Sequence, residues 1–404
     1  MSVVQAEEII RIAAKGDGVG DSGKHHPFAV PGDRVDAEGT ITRGPHFVEA
    51  PCAHFSACGG CQLQHADEEM LSRFVRERVI NAASGQGLEV SEELPAHLSP
   101  PRARRRATLH GLRTSKSAVI GFKQSGSHRL VDLNDCHILD PQLNALIAHL
   151  RKFASQFGPR GSFDVGLALC DQGVDCRLTH FSLEGLEATE AALDFARMIG
   201  LARLSIDQGF GPETVWEPEP VTVTLSGFPV GLPAGAFLQA TRDAENQMVA
   251  DAQEWLDDAG VIADLFAGLG TFAFALTKGG SDGRKILAAE ADQAAYLALN
   301  GAANRSRGRV HAMHRDLFRN PLQASELNRF GGVLLDPPRA GAKAQVAEIA
   351  QSTLSRVVYV SCNPSSWARD AAVLREAGFE LARLRPIGQF RWSTHVELTS
   401  LFVR

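Results

Sequence analysis

The chain has 404 residues, 44% hydrophobic and 22% charged, with a formal net charge of −6. That is the composition of a globular protein of two or three domains, and the negative balance argues against a protein that coats nucleic acid nonspecifically. No run of about 18 apolar residues occurs, so no membrane span is expected.

The opening "MSVVQAEEIIRIAAKGDGVG" carries acidic residues where a signal peptide would carry basic ones, and the chain is expected to be cytoplasmic. Residues 1–48 alternate short β-like runs with Gly-Asp and Pro-Gly-Asp turns, which predicts a small β domain. Cys52, Cys58 and Cys61 follow within ten residues, the last two separated by Gly-Gly. Seven cysteines in a long intracellular chain favour metal or catalytic roles over disulfides. Residues 66–83 place Met70, Leu71, Phe74, Val75 and Val79 at helical spacing. "PPRARRRATLHGLRTSK" then concentrates Arg102, Arg104, Arg105, Arg106, Arg113 and Lys116, readable as an RNA contact or as a solvated strand edge. "AVIGFK" and "HRLVDL" read as strands, residues 140–205 mix both signals, and "VTVTLSGFPVGLPAGAFLQA" reads as strand, turn and strand.

From about residue 242 helices and apolar strands alternate: "VIADLF", "KILAAE", "RVHAMH", "GGVLLDPP" and "RVVYVSCNP", then "FELARLRPI" and "THVELTSLFV". This predicts a mostly parallel sheet covered on both faces, with ligands at the carboxyl ends of its strands. At the first such end, "ADLFAGLGTFA" supplies Gly268 and Gly270, and Glu290 ends the next strand. The stretch fits a dinucleotide site and an S-adenosylmethionine site alike. Asp336 in "LLDPPRAGA" and Cys362 in "YVSCNPSSWARD" end two further strands and face the same crevice, and a hydride-transfer enzyme has no need of that cysteine. A cysteine before a helix gains thiolate character, and a thiolate added to C6 of uracil makes C5 nucleophilic. A base must then remove the C5 proton. Glu397 in "HVELTSLF" is the candidate, with its pKa raised by burial.

In order, "FLQAT", "DLFAGLGTF", "LLDPPRAG", "SCNPSSWARD" and "HVELTSLF" resemble the successive motifs of the RNA uracil-5-methyltransferases, in particular the iron–sulfur-containing 23S ribosomal RNA branch. The resemblance covers nearly the whole chain. It implies a Rossmann-like class I methyltransferase domain over 236–404, a β-rich central iron–sulfur domain over 49–235 beside the RNA path, and a short TRAM-like β-barrel over 1–48. It implies Cys362 as nucleophile, Glu397 as base, and S-adenosylmethionine contacts from Gln239, Gly268, Glu290, Asp316 and Asp336. Phe237 resembles an aromatic position beside the target base, where a ring would stack on a flipped uracil. Cys52, Cys58, Cys61 and Cys136 resemble the ligands of a [4Fe–4S] cluster, although four thiolates at this spacing would equally suit zinc. Cys170, Cys176 and Trp367 are read as packing residues. The expected reaction is methylation of C5 of a uridine in 23S rRNA by a monomer, with no DNA or membrane partner. The alternatives are the T-loop uridine of tRNA, a non-catalytic RNA-binding or assembly factor, and a dinucleotide-dependent redox enzyme.

Overall fold

The computed structural model describes residues 6–115, 117–279 and 283–404. Lys116 of the arginine run and Gly280, at the end of an expected helix, lie outside them.

The C-terminal half builds a nine-stranded sheet. Its order is Val310–His314, Lys285–Glu290, Val261–Leu265, Gly332–Leu335, Arg356–Ser361, Glu397–Val403, Glu380–Gly388 and Val90–Glu93, with His97–Leu98 also pairing Glu380–Gly388. The first five strands run parallel, and Glu397–Val403 inserts antiparallel to both neighbours. Gly332–Leu335 is wholly buried and Val261–Leu265 nearly so, because helices cover both faces of a parallel sheet. The helix Pro364–Glu376 starts sharply: proline occupies the first turn, and the Asn363 side chain accepts the Ser365 N–H at 3.1 Å. The turn before it therefore holds Cys362 at the carboxyl end of Arg356–Ser361.

Three elements from earlier in the chain, the strands Val90–Glu93 and His97–Leu98 and the helix Glu68–Ser84, join or pack on this sheet. Val90–Glu93 adds a parallel edge strand, pairing Val90 with Leu381. The helix Glu68–Ser84 buries Phe74, Val75 and Val79 in the same core as Phe379, Leu381 and Leu384.

The central sheet has six strands, ordered Pro212–Trp216, Arg203–Asp207, Gly173–Thr179, Gly161–Cys170, Arg106–Arg113 and Ala118–Gly121. Alternation in "RATLHGLR" buries Ala107 and Leu109 beneath the helices Pro141–Phe157 and Gly185–Ile199 and leaves Arg106, Thr108 and His110 on the other face. Cys176 packs in that core, and the Cys170 thiol donates to the Gly173 carbonyl. Trp367 is also packing, its indole N–H bonded to Ser400 at 2.9 Å.

Two expected elements differ. "HRLVDL" makes only an isolated bridge, Lys123 with Leu130, because the Asp132 carboxylate takes the Ile120 N–H that a strand carbonyl would have accepted. The helix expected after Gly270 stops as Thr271–Ala275, where the Thr277 hydroxyl caps the Phe274 carbonyl. The N-terminal segment forms a five-stranded antiparallel sheet, and its Phe28 ring meets Phe55 and His65 of the cysteine-rich loop. Among the described residues no helix is long and apolar enough to cross a membrane.

Candidate active site

The strand ends of the parallel sheet bring most of the singled-out residues together. Gly268 and Gly270 adopt φ of +55° and +92°. A Cβ on Gly270 would lie 2.6 Å from the Phe274 ring, so the turn requires glycine there. The Gly268 N–H donates to Glu290 at 2.8 Å, and the other Glu290 oxygen accepts from Ala291 and Asp292. Glu290 thus braces the glycine turn against the second strand end, and the oxygen that accepts from Gly268 keeps one further acceptor site. Phe266 is held at φ +66°, an uncommon conformation for a side-chain-bearing residue, and its ring lies 5.4 Å from that of Phe318. Asp316 accepts the Phe318 N–H at 3.0 Å and so orders this aromatic wall.

The second cluster surrounds Cys362. Gln239 donates to Asp336 at 3.2 Å, and Gln389 accepts the Ala240 N–H while its amide reaches Gln239 at 3.4 Å. The Arg339 carbonyl accepts from both Asn363 and Ser366, locking the Pro-rich loop to the turn that carries Cys362. Glu397 is buried; loss of water raises its carboxyl to about 7, against a Gln389 hydrogen bond and the charges of Arg106 and Arg339. Burial also holds Asp336 well above the usual carboxylate range, with Glu397 and Asp264 adding to the rise.

The Cys362 thiol departs from the expected thiolate. Burial raises it to about 11, Glu397 and Asp336 push the same way, and Arg339 opposes them. The helix that follows is outweighed by desolvation and two carboxylates. Asp264, buried at the end of the first strand, rises to about 7 by burial, opposed by the Ala273 N–H and reinforced by Glu290.

Phe237 stands 60% exposed at the mouth of this cluster, with the Arg106 guanidinium 4.4 Å from its ring centre. Arg106 also bonds the Leu238 carbonyl, and burial lowers its pKa to about 10 while Glu397 and Cys362 attract its charge. Arg106 and Gln389 therefore join the candidate site without having been assigned to it from motif spacing, while Arg339 adjoins the Asp336 motif. Arg106 was hidden inside a run of like residues, and nothing local marks Gln389.

Three further arginines of the run hold partners within the protein. Arg102 forks onto Asp135, Arg105 pairs with buried Glu245, and Arg113 holds the Gly158 carbonyl.

Cys52, Cys58, Cys61 and Cys136 line a single cavity walled by Phe122 and Leu133. Burial raises the thiols of Cys58, Cys61 and Cys136, Cys61 to about 12. Among the described residues no three His, Cys, Asp or Glu side chains converge as a single-ion site. A cubane presents a separate iron to each thiolate, so its ligands need only surround a shared cavity, as these four do.

A parallel sheet with a glycine turn at its first strand, an acidic residue ending its second and an inserted antiparallel strand defines the class I methyltransferase fold. The similarity of the chain to known proteins is more specific. Residues 228–404 match the tRNA (Uracil-5-)-methyltransferase family. A protein of Zymomonas mobilis described as an uncharacterized RNA methyltransferase is 48% identical, the alignment covering 98% of this chain and 100% of that one. The 23S rRNA (uracil(1939)-C(5))-methyltransferase RlmD of Erwinia tasmaniensis is 31% identical over 90% of this chain and 84% of its own. The Pyrococcus abyssi tRNA (uracil-54, C5)-methyltransferase, solved with S-adenosyl-L-homocysteine, superposes over the full length of both chains with a TM-score of 0.78 at 19% identity, which shows a shared fold. The chain belongs to the S-adenosylmethionine-dependent RNA (uracil-5-)-methyltransferase family.

Proposed function

We propose that the protein methylates C5 of one uridine in 23S rRNA through a covalent Cys362 adduct, acting as a cytoplasmic monomer. The observation that carries this reading is the grouping of Cys362 with Glu397, Asp336 and Arg339 at adjoining strand ends, below the exposed ring of Phe237. The 31% identity to a 23S rRNA enzyme supports the ribosomal substrate over the tRNA alternative.

S-adenosylmethionine supplies the methyl cation, and Gln239, Gly268, Glu290, Asp316 and Asp336 are the residues proposed to hold it. Phe237 stacks on the flipped uracil. The Cys362 thiol gives up its proton to solvent, and the thiolate forms a bond to C6 while the C5–C6 π electrons move toward O4. C5 takes the methyl group, leaving S-adenosylhomocysteine. Glu397, in its ionised form, removes the C5 proton; the electron pair restores the C5–C6 double bond and the C6–S bond breaks. A carboxyl poised near 7 suits that proton transfer. Arg106 and Arg339 place positive charge near Cys362 and Glu397, where it would stabilise a developing enolate.

Cys52, Cys58, Cys61 and Cys136 are proposed to hold a [4Fe–4S] cluster. The shared cavity and the all-thiol donor set support this. The cluster organises the fold, since no step of the reaction moves an electron.

The test is incubation of the Glu397→Gln variant with 23S rRNA and S-adenosylmethionine. The variant should retain the methylated RNA as a denaturant-resistant adduct that Cys362→Ala cannot form. Full turnover by either variant would overturn the assignment.

A further inference from the structure

The site occupies one edge of a polar sheet face that extends well beyond it. Register places Arg106, His110, Asp164, Arg177, Thr179 and Asp207 on the same side of the central sheet. The Arg177 guanidinium lies directly on the Gly235 backbone, so this face adjoins the loop that carries Phe237. At its far end the strands Arg203–Asp207 and Pro212–Trp216 meet in a tight tip. Asp207 accepts the N–H groups of Gly209 and Gly211, at 2.8 and 3.2 Å. Between those glycines, Phe210 projects with 98% of its surface exposed. The acids of the face are already engaged: Asp164 by His110 at 2.6 Å and His180 at 3.9 Å, and Asp207 by the turn. Strand spacing and rise put Asp207 about 20 Å from Arg106, a span of several nucleotides.

We propose that this face is the track for the single-stranded RNA flanking the target uridine, and that Phe210 is a second stacking platform for a base remote from the reacting one. The inference rests on the RNA-methylation reading above and adds a substrate subsite to it. Continuity with Phe237 and Arg106 supports it. So does the chemistry: a lone exposed ring on a polar face that also carries Arg106 and Arg177 suits base stacking, whereas a protein-docking core would surround it with apolar neighbours.

The test is fluorescence anisotropy with a fluorescein-labelled oligouridylate of twenty residues at low salt. Phe210→Ala should weaken binding about tenfold, and Phe210→Tyr should restore it. Leu186→Ala, which trims another exposed apolar side chain, on a helix covering the opposite face, should bind as the wild type does. Phe210→Ala binding as tightly as the wild type would overturn the inference and leave the ring to a protein partner. So would restoration by Phe210→Leu, or a wild-type protein that does not bind the oligouridylate. Methyl transfer to ribosomal RNA is read separately. If wild type and Phe210→Ala methylate with equal KM, the subsite fails while the proposed function stands; if the wild type transfers no methyl group, both fail.

Discussion

At the scale of single residues, the reaction turns on how burial sets proton affinities. Cys362, the proposed nucleophile, was legible as a candidate from its place after a strand and before a helix, but its protonation was not. The two carboxyls that raise it come from segments 26 residues before and 35 residues after it, and only folding brings them close. The rate of Cys362 alkylation by iodoacetamide, followed by mass spectrometry, should therefore keep climbing past pH 9 without a plateau. A plateau near pH 7 would contradict a thiol raised to about 11. In Glu397→Gln the whole curve should move to lower pH, because a negative neighbour is removed. Asp264 gives a stability counterpart. Its folded carboxyl titrates near 7 rather than near 3.8, so between those values the folded protein holds a proton that the unfolded chain has shed. Stability due to this group is thus full below about pH 4 and falls as pH rises toward 7. Asp264→Asn should stabilise the protein at pH 8 by roughly 2–4 kcal/mol in urea denaturation, and by much less at pH 5. An equal effect at both pH values would contradict the burial argument.

At the scale of elements, the C-terminal sheet was readable because each parallel strand is an apolar run followed by a turn signal. Gly270 shows how closely one such turn is specified. Its φ of +92° and its contacts with Phe274 and Leu299 leave no room for a methyl group. Gly270→Ala should cost at least about 1–3 kcal/mol of stability and weaken S-adenosylhomocysteine binding measured by calorimetry. Unchanged affinity would mean that the turn does not shape the crevice. What sequence did not disclose were pairings between distant segments. The polar pattern of Val90–Glu93 gives no sign that its partner is Glu380–Gly388. The acceptors of the arginine run were hidden for the same reason, since Glu245, the partner of Arg105, lies far along the chain.

At the scale of the molecule, three segments distant in sequence meet around Cys362, and the cysteine cavity ties two of the remaining pieces together. Cys52, Cys58 and Cys61 adjoin Cys136 across more than seventy residues, a long loop whose closure a cluster would enforce. Anaerobically purified protein should carry about four irons per chain, and Cys136→Ser should lose them and melt at lower temperature. One zinc and no iron would contradict the cluster, which is where spacing alone left the choice open. Spacing groups three of these cysteines, the family resemblance adds Cys136, and the fold lines one cavity with all four.

The most direct measurement is a map of 5-methyluridine in 23S rRNA and tRNA from cells with and without this protein, repeated with the Cys362→Ala variant restored. Loss of the modification at one uridine of 23S rRNA, recovered by the wild-type protein and not by the variant, is the predicted result. Loss confined to tRNA, or recovery by Cys362→Ala, would contradict it.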